Sequence, residues 1–368
     1  MDLQSTVALT TLSGISRARA AAVFKDLQDH PGGRPVSLER VIARCAPGLD
    51  AAANAAAARK RAAGLLEAAR QAGIAVVGLE DPRYPPLLRA IVDPPPVLWA
   101  RGMLQALPRP GIAIVGSRAA TPYAREAAAR LAEDLARRGL VVVSGLARGV
   151  DGAAHRGCLQ GEGATIAVLG SGPDVIYPAE HQSLAVSICE HGVIASELGP
   201  GAAPLPEHFP ARNRLISGIS LAVVVVEASE KSGSLITARC ALEQGRDVMA
   251  VPGSILSGRN RGSHALLKDG AKVVESADDI MEELGWTGLG AERAEAPSNL
   301  LISDPLLDKM AAGEPYGIDA LASLTGLAGR DLLARLTDWE LRGDLERLTG
   351  GRFRRPAAST PTGRKPLG

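Results

Sequence analysis

From residue 111 onward the chain repeats one arrangement about seven times: a short apolar run, a glycine or small polar turn, then a stretch with helical spacing. The apolar runs are 112–115, 140–143, 165–169, 192–195, 222–226, 248–251 and 272–274. Runs of four or five branched residues without polar alternation are how strands buried on both faces read. Strands and helices alternating at this spacing predict a right-handed, mostly parallel sheet of the α/β class. Residues 1 to about 75 carry helical periodicity, strongest in the alanine-rich stretch 51–72. Between these regions, Asp81-Pro-Arg-Tyr-Pro-Pro86 and Asp93-Pro-Pro-Pro96 forbid regular helix. Val97-Leu-Trp-Ala-Arg-Gly102 then predicts a short edge strand within a connector over 76–110. Residues 287–305, rich in Gly, Ala, Ser and Pro, read as a linker. Two short helices (316–327 and 328–343) and a hairpin with a Gly-Gly turn (345–353) follow, which is a winged-helix pattern. Arg354, Arg355, Arg364 and Lys365 make a basic tail.

Composition narrows the classes. A chain of 368 residues suggests two or three domains, and 46% hydrophobic content with 3% aromatic marks an alanine-rich globular protein. The formal net charge is +1, so affinity for nucleic acid must come from a local patch. Cys45, Cys158, Cys189 and Cys240 are far apart, which argues for a reducing compartment and against zinc. No apolar run approaches the length of a membrane span and the first residues lack a signal pattern, so a cytoplasmic location is expected.

The candidate chemistry sits where the predicted strands end. Gly111-Ile-Ala-Ile-Val-Gly-Ser-Arg118 runs a strand into Gly116, Ser117 and the cation Arg118, with a helix starting near Pro122. Free N–H groups at such a helix start favour phosphate. A dinucleotide site would need G-x-G-x-x-G and an acid at the end of the second strand. Here the second strand ends in Ser144-Gly145, and no P-loop Gly-Lys-Ser or Gly-Lys-Thr occurs. The site is an anion cradle without either nucleotide signature.

Further turns, 144–149, 170–172 and 227–234, fall at the same predicted end of the sheet. In the last of them Lys231, Ser232, Gly233 and Ser234 bring a cation, hydroxyls and a helix start to one place. Phe209-Pro-Ala-Arg-Asn-Arg214 sets one of three phenylalanines beside Arg212 and Arg214. Guanidinium groups could hold phosphates there while the ring stacks a base; a core phenylalanine with anchoring arginines is the competing reading. Asp151 and His155, one turn apart, are read as a helix cap and its neighbour on the same face, since no third ligand has a fixed spacing.

Ala113-Ile-Val-Gly-Ser-Arg118, Ser144-Gly-Leu-Ala-Arg-Gly-Val-Asp151, Phe209-Pro-Ala-Arg-Asn-Arg214 and Ser232-Gly-Ser-Leu-Ile-Thr-Ala238, with Tyr84-Pro-Pro-Leu-Leu88, resemble the DNA-processing protein A (DprA/Smf) family. The resemblance implies an extended Rossmann domain that binds single-stranded DNA, loads RecA during natural transformation and forms a homodimer. It implies no enzymatic activity and no cofactor. It also implies DNA contacts at Arg118, Lys231 and Phe209. The implied organisation is a helical SAM-like or helix–hairpin–helix-like domain over 1–78, the Rossmann domain over 79–286, a linker over 287–305, a winged helix over 306–356 and a basic tail over 357–368. Leu205-Pro-Glu-His-Phe209 lacks the lysine that relatives can carry before the phenylalanine, and His264 stands where asparagine is expected. Two other classes remain open: a phosphoribohydrolase acting on nucleoside monophosphates, and a winged-helix transcription regulator. The first lacks its glutamate after Ser232-Gly-Ser-Leu-Ile-Thr237; the second would need a less acidic recognition helix than 328–341.

Overall fold

The computed structural model describes residues 2–29, 36–285, 315–325, 332, 336, 345–348 and 352–354. The chain divides into two compact units, 1–292 and 293–368.

The first unit is built on a nine-stranded sheet, β1 (Ala75–Gly78), β2 (Val97–Gly102), β3 (Gly111–Val115), β4 (Val141–Ser144), β5 (Thr165–Leu169), β6 (Val193–Ser196), β7 (Ala222–Val225), β8 (Asp247–Ala250) and β9 (Lys272–Val273), in spatial order β1-β2-β6-β5-β4-β3-β7-β8-β9. All seven expected strands form and pair in parallel. Residues 97–102 are not at the edge, however. They lie antiparallel to β6 on one side and to β1 on the other. Ile74-Ala-Val-Val77 is an apolar run of the same kind as Ile112-Ala-Ile-Val115, but a boundary between helical region and connector at about residue 75 cuts through it, and it is this run that takes the edge.

Side chains alternate between faces, as the pleat requires. Ala113, Val115, Val141, Val143, Val223 and Val225 share one cluster, which includes helix α9 (His208–Ile219) and helix α10 (Ser234–Glu243). Ile112, Ile114, Val142 and Val224 point the other way, under α6 (Pro122–Arg137), α7 (Val150–Gln160) and α12 (Ala277–Glu283). A smaller cluster seats α8 (Gln182–His191) on β5 and β6. Helix α11 (Arg261–Lys268) follows β8.

The N-terminal helices, α1 (Leu3–Leu9), α2 (Arg17–Asp29), α3 (Leu38–Cys45) and α4 (Ala51–Gln71), share the first cluster without a break. The one-turn helix α5 (Pro86–Arg89) also joins it, and the buried Tyr84 hydroxyl donates to the Pro95 carbonyl at 2.8 Å.

In the second unit, β10 (Pro315–Gly317), β11 (Glu346–Leu348) and β12 (Arg352–Arg354) form an antiparallel sheet with β12 central. Its core joins Leu321, on α13 (Ile318–Thr325), with Leu332, Leu336, Leu345 and Phe353. The expected hairpin is present, and Pro315–Gly317 adds a strand that the sequence reading did not foresee. The linker over 287–305, most of 328–343 and the tail over 357–368 lie outside the described residues.

Candidate functional site

Strand β3 has β4 on one side and β7 on the other, so the chain winds away in opposite directions from this point. Open α/β sheets bind ligands beyond the strand ends at such a switch. A cleft of about 620 Å³ lies there, lined by the β3 turn (116–119), the α9 face bearing Phe209, Arg212 and Asn213, and the start of α10.

Close backbone approach assembles it. The Ser117 N–H donates to the Glu227 carbonyl at 2.7 Å, and the Val226 N–H to the Val115 carbonyl at 3.0 Å, tying the two turns together. A Cβ on Gly116 would stand 2.6 Å from Val150 and 3.0 Å from the Glu227 carbonyl. Gly149, at φ 75°, lets the next turn press on the Ser117 carbonyl. Thr121 caps α6 by accepting from the Ala124 N–H at 3.2 Å, and its hydroxyl donates to the buried Glu227 carboxylate at 2.6 Å.

Arg118 is exposed at the lip, its guanidinium 5.3 Å from the centroid of the Phe209 ring. Tyr177 tilts against the same ring at 5.6 Å, a contact that sequence spacing gave no means of foreseeing. Ser232 and Ser234 share a hydroxyl hydrogen bond of 2.7 Å at the start of α10, where Gly233 supplies no side-chain cap. The Asn213 amide ties α9 to this start by donating to the Gly233 carbonyl at 3.2 Å. The Ser234 N–H donates to the Ser232 hydroxyl at 3.4 Å, and the Leu235 and Ile236 N–H groups donate to the Ser232 and Gly233 carbonyls at 3.1 Å, so what this start offers an anion is serine hydroxyls and the positive end of the helix dipole.

Arg212 lines the cleft but is buried and committed. It donates to the Gly145 carbonyl at 2.9 Å and to the Val168 carbonyl. Burial pulls its pKa down to about 10, against the opposing attraction of Asp151 and with a contribution from Arg118. Burial pushes the Asp151 carboxyl up, while Arg212 and the Ala147 and Gly145 amides hold it back. Asp151 therefore pins the turn after β4 rather than capping α7, whose N-cap is Gly149.

The structure does not gather every expected residue. Ser144 is fully buried and spends its hydroxyl on the Ile114 carbonyl, and Gly145 is likewise buried beneath Arg212. Arg214 turns away from the cleft to Glu197 at 2.8 Å and Asp93 at 3.1 Å. Lys231 is exposed in a neighbouring groove with Arg261, not in this cleft. His155 is fully buried, its Nδ1 2.7 Å from the Thr165 hydroxyl. His264 contacts the Gly253 carbonyl at 3.1 Å. Among the described residues no cluster of three or more metal-ligating side chains occurs, and no helix is long and apolar enough to cross a membrane.

A doubly wound sheet with an aromatic-lined cleft bearing an exposed cation at its switch point defines a Rossmann-like domain of the α/β class. The family model for DNA recombination-mediator protein A matches residues 75–285, and that for the DprA winged helix domain matches residues 291–351. The chain belongs to the DNA recombination-mediator protein A family. It is 47% identical to DNA processing protein DprA of Streptococcus pneumoniae over 55% of this chain and 72% of that one. To the Bacillus subtilis DprA it is 45% identical, over 60% and 74%. The crystal structure of the S. pneumoniae protein covers 77% of this chain and 98% of its own at TM-score 0.69 and 36% identity. A Helicobacter pylori DNA processing protein A, described for its single-stranded DNA binding mode, covers 57% and 95% at TM-score 0.52 and 30% identity.

Proposed function

We propose that this protein binds single-stranded DNA in the cleft between the β3 and β7 turns and hands the strand to RecA during DNA uptake, as a homodimer and without catalysing a reaction. One observation carries the reading: an exposed Arg118 over the Phe209 ring shares the cleft at the sheet's switch point with Ser232 and Ser234 at the start of α10. Phosphates are held by a guanidinium, serine hydroxyls and the positive end of a helix dipole, and bases find aromatic faces. A flexible strand can thread such a cleft, whereas a stiff duplex would meet the surrounding loops. The H. pylori relative's binding of single strands supports the assignment. The site is proposed to lie within 79–286 and the winged helix within 306–356; the sheet also takes in β1 at 75–78.

The test is oligonucleotide affinity against salt concentration. Arg118→Ala should weaken binding at least tenfold and flatten the salt slope by about 0.7, the share of one phosphate contact on a single strand. Arg118→Lys should restore part, since an ammonium cannot grip two phosphate oxygens at once. A folded Arg118→Ala protein with unchanged affinity and slope would remove the cleft as the DNA site. For the transfer step, the protein should let RecA displace a single-strand-binding protein from coated DNA; unchanged filament formation would reject that role.

A further inference from the structure

We propose that the bound strand continues from the cleft over Ser229 into a second groove, where loop 252–260 offers aliphatic side chains to bases and cations to phosphates. This rests on the reading above and extends its site. The groove, of about 540 Å³, is lined among others by Lys231, Leu256, Gly258 and Arg261, and Ser229 lines both spaces.

The loop is held in place. Arg259 donates to the Ala119 carbonyl at 2.8 Å, and the Tyr123 hydroxyl to the Pro252 carbonyl at 3.3 Å. Both bonds fasten it to the turn and helix that present Arg118. Within the loop, the buried Asn260 amide donates to the Ser254 carbonyl at 3.1 Å. This fastened loop nevertheless carries Ile255 and Leu256 82% and 91% exposed. Adjacent aliphatic residues kept in water by a well-bonded loop mark an interaction surface.

The surrounding charge selects the occupant. Lys231, Arg259 and Arg261 are exposed around the loop, and the one acid lining the groove among the described residues, Glu230, lies 3.8 Å from Arg261. At the buried centre of a protein–protein interface lysine is depleted although arginine is enriched, so Lys231 is the cation that speaks against a protein occupant. A single strand brings phosphates for the cations and base faces for the apolar pair, and it is already present at Ser229 if it occupies the cleft.

Homothymidine oligonucleotides of stepwise increasing length, bound to the full chain, test the path. The combined Ile255→Ser and Leu256→Ser variant should bind the shortest strands within about twofold of wild type and long strands about tenfold more weakly, because apolar contacts to base faces are lost only when the strand reaches the loop. Arg118→Ala should weaken both. Wild-type affinity of the serine variant for long strands, with or without a loss of dimer mass in sedimentation, overturns the path; with that loss, it assigns the loop to a second copy. Equal weakening at every length overturns it too, because the loop would then act on the cleft itself. An Arg118→Ala protein unaffected at any length overturns the cleft reading and the path together, so the silent variant shows which inference fails.

Discussion

Gly139 and Gly149 both hold positive φ, 82° and 75°, but their surroundings differ. Nothing lies within 4 Å of a Cβ placed on Gly139, whereas one on Gly149 would enter the Ser117 carbonyl. Gly139→Ala should therefore cost about 1 kcal/mol, the strain of a left-handed alanine. Gly149→Ala should cost about 2 kcal/mol more, since the β3 turn must move. Urea midpoints of the two variants measure the difference. His155 offers a second residue-scale test. The Thr165 hydroxyl donates to the Val142 carbonyl, so the imidazole Nδ1–H donates to Thr165, and the buried Nε2 has no partner among the described residues. Burial, helped by the charges of His181, Arg156 and Arg212, pushes the pKa down to about 3. The folded value lies below the unfolded one of about 6.5, so the unfolded chain binds the extra proton. The stability that neutral His155 contributes is complete above that pH and drains away as pH falls toward 3. Thermal melting of His155→Gln should show a flatter loss between pH 7 and 4 than wild type; parallel curves would reject the assignment.

At the scale of elements, the parallel strands were legible because each is a compact apolar run with a small-residue turn behind it. The turns at Gly116 and Ser232 were legible for the same reason, as chemistry that local sequence specifies. What spacing could not specify is which way a side chain faces. Arg212 and Arg214 are two residues apart on α9, about 200° around the helix. One consequently lies under the turn after β4 and the other reaches Glu197 and Asp93. Lys231 shares a turn with Ser232, yet its direction is set by a loop whose shape depends on distant contacts. The buried Glu227 was missed as a partner because Thr121, which caps α6 and hydrogen-bonds that carboxylate, lies 106 residues away. Thr121→Ala removes both interactions and should lower stability by about 2 kcal/mol, with Thr121→Ser recovering most of it. Chemical denaturation provides the measurement, and an alanine variant as stable as wild type would show that the cap contributes nothing.

Across the whole molecule, the division near residue 292 separates two cores, while the N-terminal helices and the sheet share one. A chain ending before residue 293 should stay folded and bind oligonucleotides within about threefold of the full chain at moderate salt, the remaining loss reflecting the basic residues removed, whose attraction salt screens. Removing residues 1–74 instead takes away the part of the shared core that α1 to α4 supply, so gel filtration of that product should show aggregation. The order of strands has one more consequence. Val141-Val-Val143 and Val223-Val-Val225, the segments best suited to stacking into fibres, occupy interior places in the nine-stranded row. The ends of the row are a half-buried four-residue strand and a strand of two residues, too little backbone to recruit a neighbour. Concentrated folded protein should therefore stay clear, and turbidity should begin only when heat opens the middle of the sheet, at a temperature that shifts with scan rate.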